Sequence, residues 1–236
     1  MTRKRPRGGT SAEIAAAARA SGMVWAGIAT LGAGFGVLVT SYGFPWWLAP
    51  LISAVVFAGS VEFLLVTMLA SAAPVTAIAT MALVVNARHA FYGLSFPLER
   101  VQGRIRRAYS VFALSDEAYA IAASGDPATM TGARILYTQV GLHAAWVMGS
   151  LVGGLAGLWS VVAGVRGVGF VLTTLFVVLA LDAFTSRPDP TTAVLATVAS
   201  VVALAVARGS MIMVAMALLV VTLVIRHRTA EARRAA

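Results

Sequence analysis

This chain predicts an all-α fold, a polytopic transmembrane helical bundle of about six to eight membrane segments, and three observations carry that prediction. The composition is 59% hydrophobic and only 11% charged, whereas a soluble domain carries about a quarter charged residues. Its apolar residues come in blocks of 17 to 28, and about 20 residues at 1.5 Å rise cross a hydrocarbon core of about 30 Å. Transmembrane strands would need only about 9 to 11 alternating residues, so block length favours helices. The net charge of +9 sits at the flanks of the blocks. Arg3, Lys4, Arg5 and Arg7 open the chain, Arg226, Arg228, Arg233 and Arg234 close it, and Arg100, Arg104, Arg106 and Arg107 mark one internal loop. Such clusters follow the positive-inside rule and not nucleic-acid binding, which puts both termini in the cytoplasm and the protein in the plasma membrane as a multi-pass chain.

Residues 1–20 read as a cytoplasmic basic tail and the start of a helix, with Thr10 and Glu13 spaced as a capping box. That helix is expected to run into the first span. No small-residue cleavage site follows the first apolar run, which ends in Tyr42-Gly43-Phe44-Pro45, so the span is expected to be retained. Residues 21–226 form a single transmembrane transport domain, and 227–236 a second basic cytoplasmic tail. Apolar segments fall at about 21–42, 46–72, 75–96, 105–124, 131–158, 168–184, 190–207 and 209–226, separated by Pro45, Pro74, Pro97, Gly125-Asp126-Pro127 and Arg187-Pro188-Asp189-Pro190. Trp25, Trp46, Trp47 and Trp159 lie near proposed segment ends, as interfacial anchors would. Gly149, Gly153 and Gly157 have G-x-x-x-G spacing, which serves close helix packing within the chain or with a partner.

Three full spans after a cytoplasmic N-terminus would put the arginine-rich loop at 100–107 outside, against the charge rule. Either the loop is external despite its charge, or one early and one later segment are broken or re-entrant; the second reading is preferred. An internal echo supports it. Val56-Phe57-Ala58-Gly59-Ser60-Val61-Glu62 and Val111-Phe112-Ala113-Leu114-Ser115-Asp116-Glu117 share V-F-A-x-S-x-E, 55 residues apart. Interruptions at corresponding places in two repeats are where transporters build midplane sites.

The polar residues at membrane depth are the candidate site. Glu62 lies alone in its apolar segment, and a carboxyl there must be paired, protonated or wet; held so, it can exchange protons in a transport cycle, or serve structurally. Asn86, Arg88, His89 and Tyr92 form one run. Arg88 either reaches the interface or pairs with an acid or a substrate carboxylate, with Asn86 completing the polar site and His89 able to relay protons. Ser115, Asp116, Glu117 and Tyr119 form a second cluster, in which adjacent acids on a helix point about 100° apart. Gln139, His143 and Asp182 are weaker, isolated candidates.

Enzyme signatures are missing from the sequence: there is no H-E-x-x-H pair, no G-x-S-x-G and no phosphate-binding glycine loop. No cysteine and three scattered histidines make a poor metal site, and no cofactor is expected. A transporter is therefore favoured, with a channel, an accessory membrane subunit or an intramembrane enzyme as alternatives. The blocks Phe57-Ala-Gly-Ser-Val-Glu-Phe63, Asn86-Ala-Arg-His-Ala-Phe-Tyr92 and Phe112-Ala-Leu-Ser-Asp-Glu-Ala-Tyr119, in this order and spacing, resemble the AzlC family, the large subunits of branched-chain amino acid permeases. The resemblance covers about residues 20–225. It implies export of hydrophobic amino acids such as valine, leucine and isoleucine, driven by an ion gradient, and a small AzlD-type membrane subunit as partner. The family usually carries glutamine where this chain has Glu62 and threonine where it has Ser115. The expectation that follows has the substrate between the two echo segments, its carboxylate near Arg88 and Asn86 and its ammonium near an acid. Ser60, Glu62 and the Ser115 cluster would complete the binding or coupling set.

Overall fold

A computed structural model describes residues 10–93, 95–124, 130–159, 177, 181, 184–185, 189–206 and 211–235, and the regular elements among them are helical. They are α1 (Thr10–Ser41), α2 (Leu48–Val55), α3 (Gly59–Ala70), α4 (Val75–Asn86), α5 (Arg88–Tyr92), a 3₁₀ turn (Leu98–Arg100), α6 (Arg104–Phe112), α7 (Asp116–Ser124), α8 (Gly132–Ala156), α9 (Pro190–Val206) and α10 (Met211–Ala235). Most of the expected segment at 168–184 lies outside the described residues, as do the basic tail at 1–9, the Gly125-Asp126-Pro127 break and Asp182. The described chain divides into two compact units, Met1–Ala73 with Val85–Val171, and Pro74–Val84 with Leu172–Ala236.

The first unit is organised on α1 and α8, which among the described residues are the two helices long and apolar enough to cross a bilayer alone. They pack backbone to backbone. Gly32 and Gly36 of α1 lie on Trp146, Ser150 and Gly154, while Gly149 meets Ala29, Gly153 meets Ala33 and Gly157 meets Thr40. The contact numbers rise together on both helices, so α1 and α8 run parallel. Side chains at these glycines would strike the facing main chain, or at Gly157 the Thr40 side chain, and this close approach is the packing that small-residue spacings permit. The G-x-x-x-G series therefore packs within the chain. The Trp25 ring lies over Gly141 in the same interface, where the missing side chain leaves room for an indole.

Segments 46–72 and 105–124 are both broken in the middle. α2 and α3 are separated by Val56-Phe57-Ala58, where Phe57 takes a left-handed φ of 44°, a conformation costly for a bulky side chain. α6 and α7 are separated by Ala113-Leu114-Ser115. The echo at 56–62 and 111–117 thus marks both interruptions, the second falling two residues later in the motif.

The two breaks are reached from opposite ends of α8. Trp46 backs onto Gly154 near the C-terminal end of α8, and Gly59 meets the Trp146 ring, so α2 descends from that end to the middle. Arg100 and Val101 pack on Gly132 at the N-terminal end, whereas Ser110 and Ala113 bond Gln139. α7 then doubles back: Tyr119 and Ala122 pack against Phe96, Val101, Met130 and Ile135. Segment α6–α7 is therefore a helical hairpin that returns to the end of α8 from which it came. This places the arginine-rich loop at the N-terminal end of α8, the end shared by the N-terminus of parallel α1.

In the second unit, Pro190 opens α9 at the position where a missing N–H costs nothing. Asp189 caps that helix, accepting from Thr192 N at 3.1 Å and Thr192 Oγ1 at 2.7 Å, and Arg226 Nη1 from the facing α10 donates to Asp189 Oδ2 at 2.9 Å. The Thr192 hydrogen bonds, with the Arg226 charge, hold the exposed Asp189 carboxyl at about 2. A depressed carboxyl contributes above its ordinary range and fails only as pH falls toward that value, so this fastening persists at physiological pH.

Substituting Gly153→Val would place two methyl groups against the α1 backbone. We expect loss of the folded protein from the membrane fraction, or a fall in detergent melting temperature of several degrees, whereas Val152→Ala on the exposed face of α8 should change the melting temperature little.

Candidate functional site

Both breaks lie beside the middle of α8, and each leaves backbone groups that lipid cannot satisfy. At the first break the carboxylate of Glu62, itself fully buried, does so. Ala58 N donates to Oε1 at 2.9 Å, Ser53 Oγ donates to Oε2 at 2.9 Å, and Trp146 Nε1 donates to both oxygens at 3.0 and 2.9 Å. One side chain thus ties α2, the break and α8 to the first turn of α3. Phe63 adds an apolar seal, edge-on to Phe35 at 5.4 Å and to Trp146 at 6.3 Å. At the second break the amide of Gln139 plays the matching part: Nε2 donates to Ser110 O at 2.8 Å and Ala113 O at 3.2 Å, and Oε1 accepts from Ser110 Oγ at 2.6 Å.

Between the breaks stands His143. Phe57 and Phe112, which occupy equivalent positions of the echo, lie 4.5 and 5.6 Å from its ring and 6.4 Å from each other. Tyr109 Oη lies 3.1 Å from His143 Nδ1, while Nε2 is buried with no hydrogen-bond partner. The two interruptions therefore meet in an aromatic contact around one imidazole.

Beside this contact is a cavity of about 290 Å³, near the lower bound of small-molecule sites. Val56, Phe57 and Ala58 line it from the first break, Val111, Phe112 and Leu114 from the second, and Asn86, His89, Gly93, Phe96 and Leu98 from the chain between them. Its walls are apolar and its polar groups come from Asn86 and His89. Asn86 Oδ1 is buried without a hydrogen-bond partner. The helix is interrupted here because His89 Nδ1 lies 3.1 Å from the Asn86 carbonyl, replacing the next backbone bond, and Ala90 N turns to Ala87 O.

His89 also faces Asp116, with Nε2 3.9 Å from Oδ1. Tyr92 Oη donates to the same oxygen at 2.8 Å, Tyr92 stacks on Tyr119 at 4.5 Å, and Tyr119 Oη lies 2.8 Å from Ser95 Oγ. Ser115 Oγ accepts from Ala118 N at 3.3 Å and caps α7. The structure thus joins His89, Tyr92, Asp116 and Tyr119 into one polar group beside the cavity. Glu62 stands apart, among donors and off the cavity wall. Ser60 lies in the first turn of α3, and Glu117 is half-buried on another face of α7 than Asp116. Arg88 begins α5, and its side chain lies outside the described residues.

Sequence reasoning missed Trp146 and Ser53 and undervalued Gln139 and His143. The signal for Trp146 was its position in the middle of an apolar segment, where an indole N–H must find an acceptor. Among the described residues no group of three or more His, Cys, Asp or Glu side chains could hold a metal ion.

The family model described as AzlC protein matches residues 23–159, from α1 to just past α8, and so contains both breaks and the cavity. An "Uncharacterized membrane protein" of Helicobacter pylori is 30% identical over 209 residues, covering 87% of this chain and 91% of that protein. The "Branched-chain amino acid transport protein AzlC" of Bacillus subtilis is 33% identical over 163 residues, covering 67% of this chain and 63% of that protein. An "Uncharacterized membrane protein" of Haemophilus influenzae is 30% identical over 158 residues, covering 65% and 64%. No solved structure matches.

Glu62→Gln keeps an acceptor for Ala58 and Trp146 and can donate to Ser53, so its melting temperature should stay close to that of the unmodified protein. Glu62→Leu removes the acceptor from three donors, Ala58 N, Ser53 Oγ and Trp146 Nε1, each unmatched one costing about 1–3 kcal/mol, and should be lost from the folded fraction in detergent. Equal stability of the two variants would show that the carboxylate is not a fastener.

Proposed function

The chain belongs to the AzlC family, and from that premise we propose that it moves hydrophobic amino acids of the branched-chain class, such as valine, leucine and isoleucine, across the plasma membrane. The observation that carries this reading is the cavity between the two breaks. It is large enough for one small amino acid, its walls are apolar, and Asn86 and His89 supply its polar end. Broken helices meeting at mid-depth are a recurrent way of exposing polar backbone to a substrate inside a membrane.

The transport is export driven by an ion gradient, with a small AzlD-type membrane subunit as partner. The basic loop at 100–107 and the N-terminus share one end of the first unit, which supports a cytoplasmic N-terminus by the positive-inside rule; the basic C-terminus is proposed to lie on the same side. The proposed binding and coupling set comprises Ser60, Glu62, Asn86, Arg88, His89, Tyr92, Ser115, Asp116, Glu117 and Tyr119. Within it Asp116 is the preferred proton-coupling group, because it lies 3.9 Å from His89, which lines the cavity. Glu62 holds the broken helix in place, which suits a family that tolerates glutamine there. Arg88 is retained as a counter-charge for the substrate carboxylate.

The test measures intracellular valine and leucine in cells expressing the chain with its candidate small subunit, and in cells expressing the chain alone. Lowered pools only with both subunits are expected. Asp116→Asn should reduce efflux by about tenfold or more and flatten its pH dependence, while Glu62→Gln should retain most activity. Unchanged efflux in Asp116→Asn would remove Asp116 from coupling, and unchanged pools in every case would favour another substrate.

A further inference from the structure

The charge polarity of the cavity has a direct structural source. A broken helix presents two new ends at membrane depth, one with free N–H groups and partial positive charge, the other with free carbonyls and partial negative charge. In both broken segments the positive end is capped in part by the chain itself. Glu62 accepts from Ala58 N ahead of α3, and Ser115 accepts from Ala118 N in the first turn of α7. The residues that line the cavity from the breaks are mainly the ends of α2 and α6: Val56 and Phe57 follow the last turn of α2, Val111 and Phe112 close α6, and Ala58 and Leu114 border them. Gln139 Nε2 takes two carbonyls near the end of α6, and the His143 ring meets the backbone of Ser53 and Ala54 in α2, so both ends are partly met from α8. Asn86 adds a buried amide oxygen with no partner. An amide can turn either end to a ligand, but the carbonyl end of a helix cannot.

We propose that the polar end of this cavity binds a primary ammonium group, held by Asn86 Oδ1 and the carbonyl ends of α2 and α6. The inference rests on the transport reading above and reverses one part of its sequence-based expectation: Asn86 takes the ammonium of the amino acid and not its carboxylate. The carboxylate then falls to the His89 side of the cavity. A further consequence is that Phe57 and Phe112, which border the same space, bound the room left for the substrate side chain.

The chain has no native cysteine, so a single Leu114→Cys reporter on the cavity wall reads occupancy by protection from a thiol reagent in membrane vesicles holding the full chain and its small subunit. Leu98→Cys is a second reporter should the first disturb folding. Leucine and isobutylamine, which keeps the ammonium and lacks the carboxylate, are expected to protect; 3-methylbutanoate, which lacks the ammonium, is not. Asn86→Leu should raise the half-protecting concentration of both ligands by about tenfold or more, and Asn86→Asp should preserve protection by isobutylamine. Protection by 3-methylbutanoate that disappears in Asn86→Leu would overturn the polarity while leaving the cavity reading intact. Failure of leucine to protect either reporter would overturn the cavity reading, and the inference with it.

Discussion

A helix interrupted at the depth of a bilayer's middle leaves backbone N–H and C=O groups that lipid cannot satisfy, and the first unit of this protein is built around meeting that demand twice. At the first break an acceptor is needed and Glu62 provides it; at the second, carbonyls need a donor and Gln139 provides it. Both side chains reach their break from, or are tied by it to, the central stretch of α8. That helix can serve both because its glycines let α1 lie directly on its backbone along one face, leaving Gln139, His143 and Trp146 free for the breaks. The parallel pair α1 and α8 is thus the frame, and the broken segments are what the frame holds.

The placement of the breaks explains why the cavity lies where it does. Two half-helices that enter from opposite ends and stop at the same depth cannot fill the space that a continuous pair would fill. Phe57 and Phe112 close part of the gap around His143 and the remainder is the cavity. Its polar groups come from the third interruption, at Ala87, where His89 takes the carbonyl of Asn86. The polar groups on the cavity wall therefore arise at a departure from regular helix, which is the physical reason the candidate site and the helix breaks coincide.

Much of this was legible in the sequence, and the remainder was hidden for identifiable reasons. The V-F-A-x-S-x-E echo fell on both breaks, and the conflict between charge and span count favoured a broken segment over an external basic loop. The Asn86, His89, Tyr92, Asp116 and Tyr119 group was also visible, as polar residues at depth. Glu62 was visible as a buried acid, but its partners Ser53, Ala58 and Trp146 come from other elements, so the sequence could not tell a fastener from a coupling group. The parallel direction of α1 and α8 was equally out of reach, since helix spacing patterns carry no sign of direction. Trp25 was placed at an interface from its position near a segment end; its seat over Gly141 depends on a glycine over a hundred residues away.

The hairpin course of α6–α7 is the claim on which the meeting of the breaks, the cavity and the orientation of the basic loop depend. Single cysteines placed at Arg104 and at Ala123, both exposed and at opposite ends of that segment, can be labelled with a membrane-impermeant thiol reagent from each side in turn. The structure predicts that both react from the same side. Labelling of the two positions from opposite sides would make α6–α7 a full span and contradict the account.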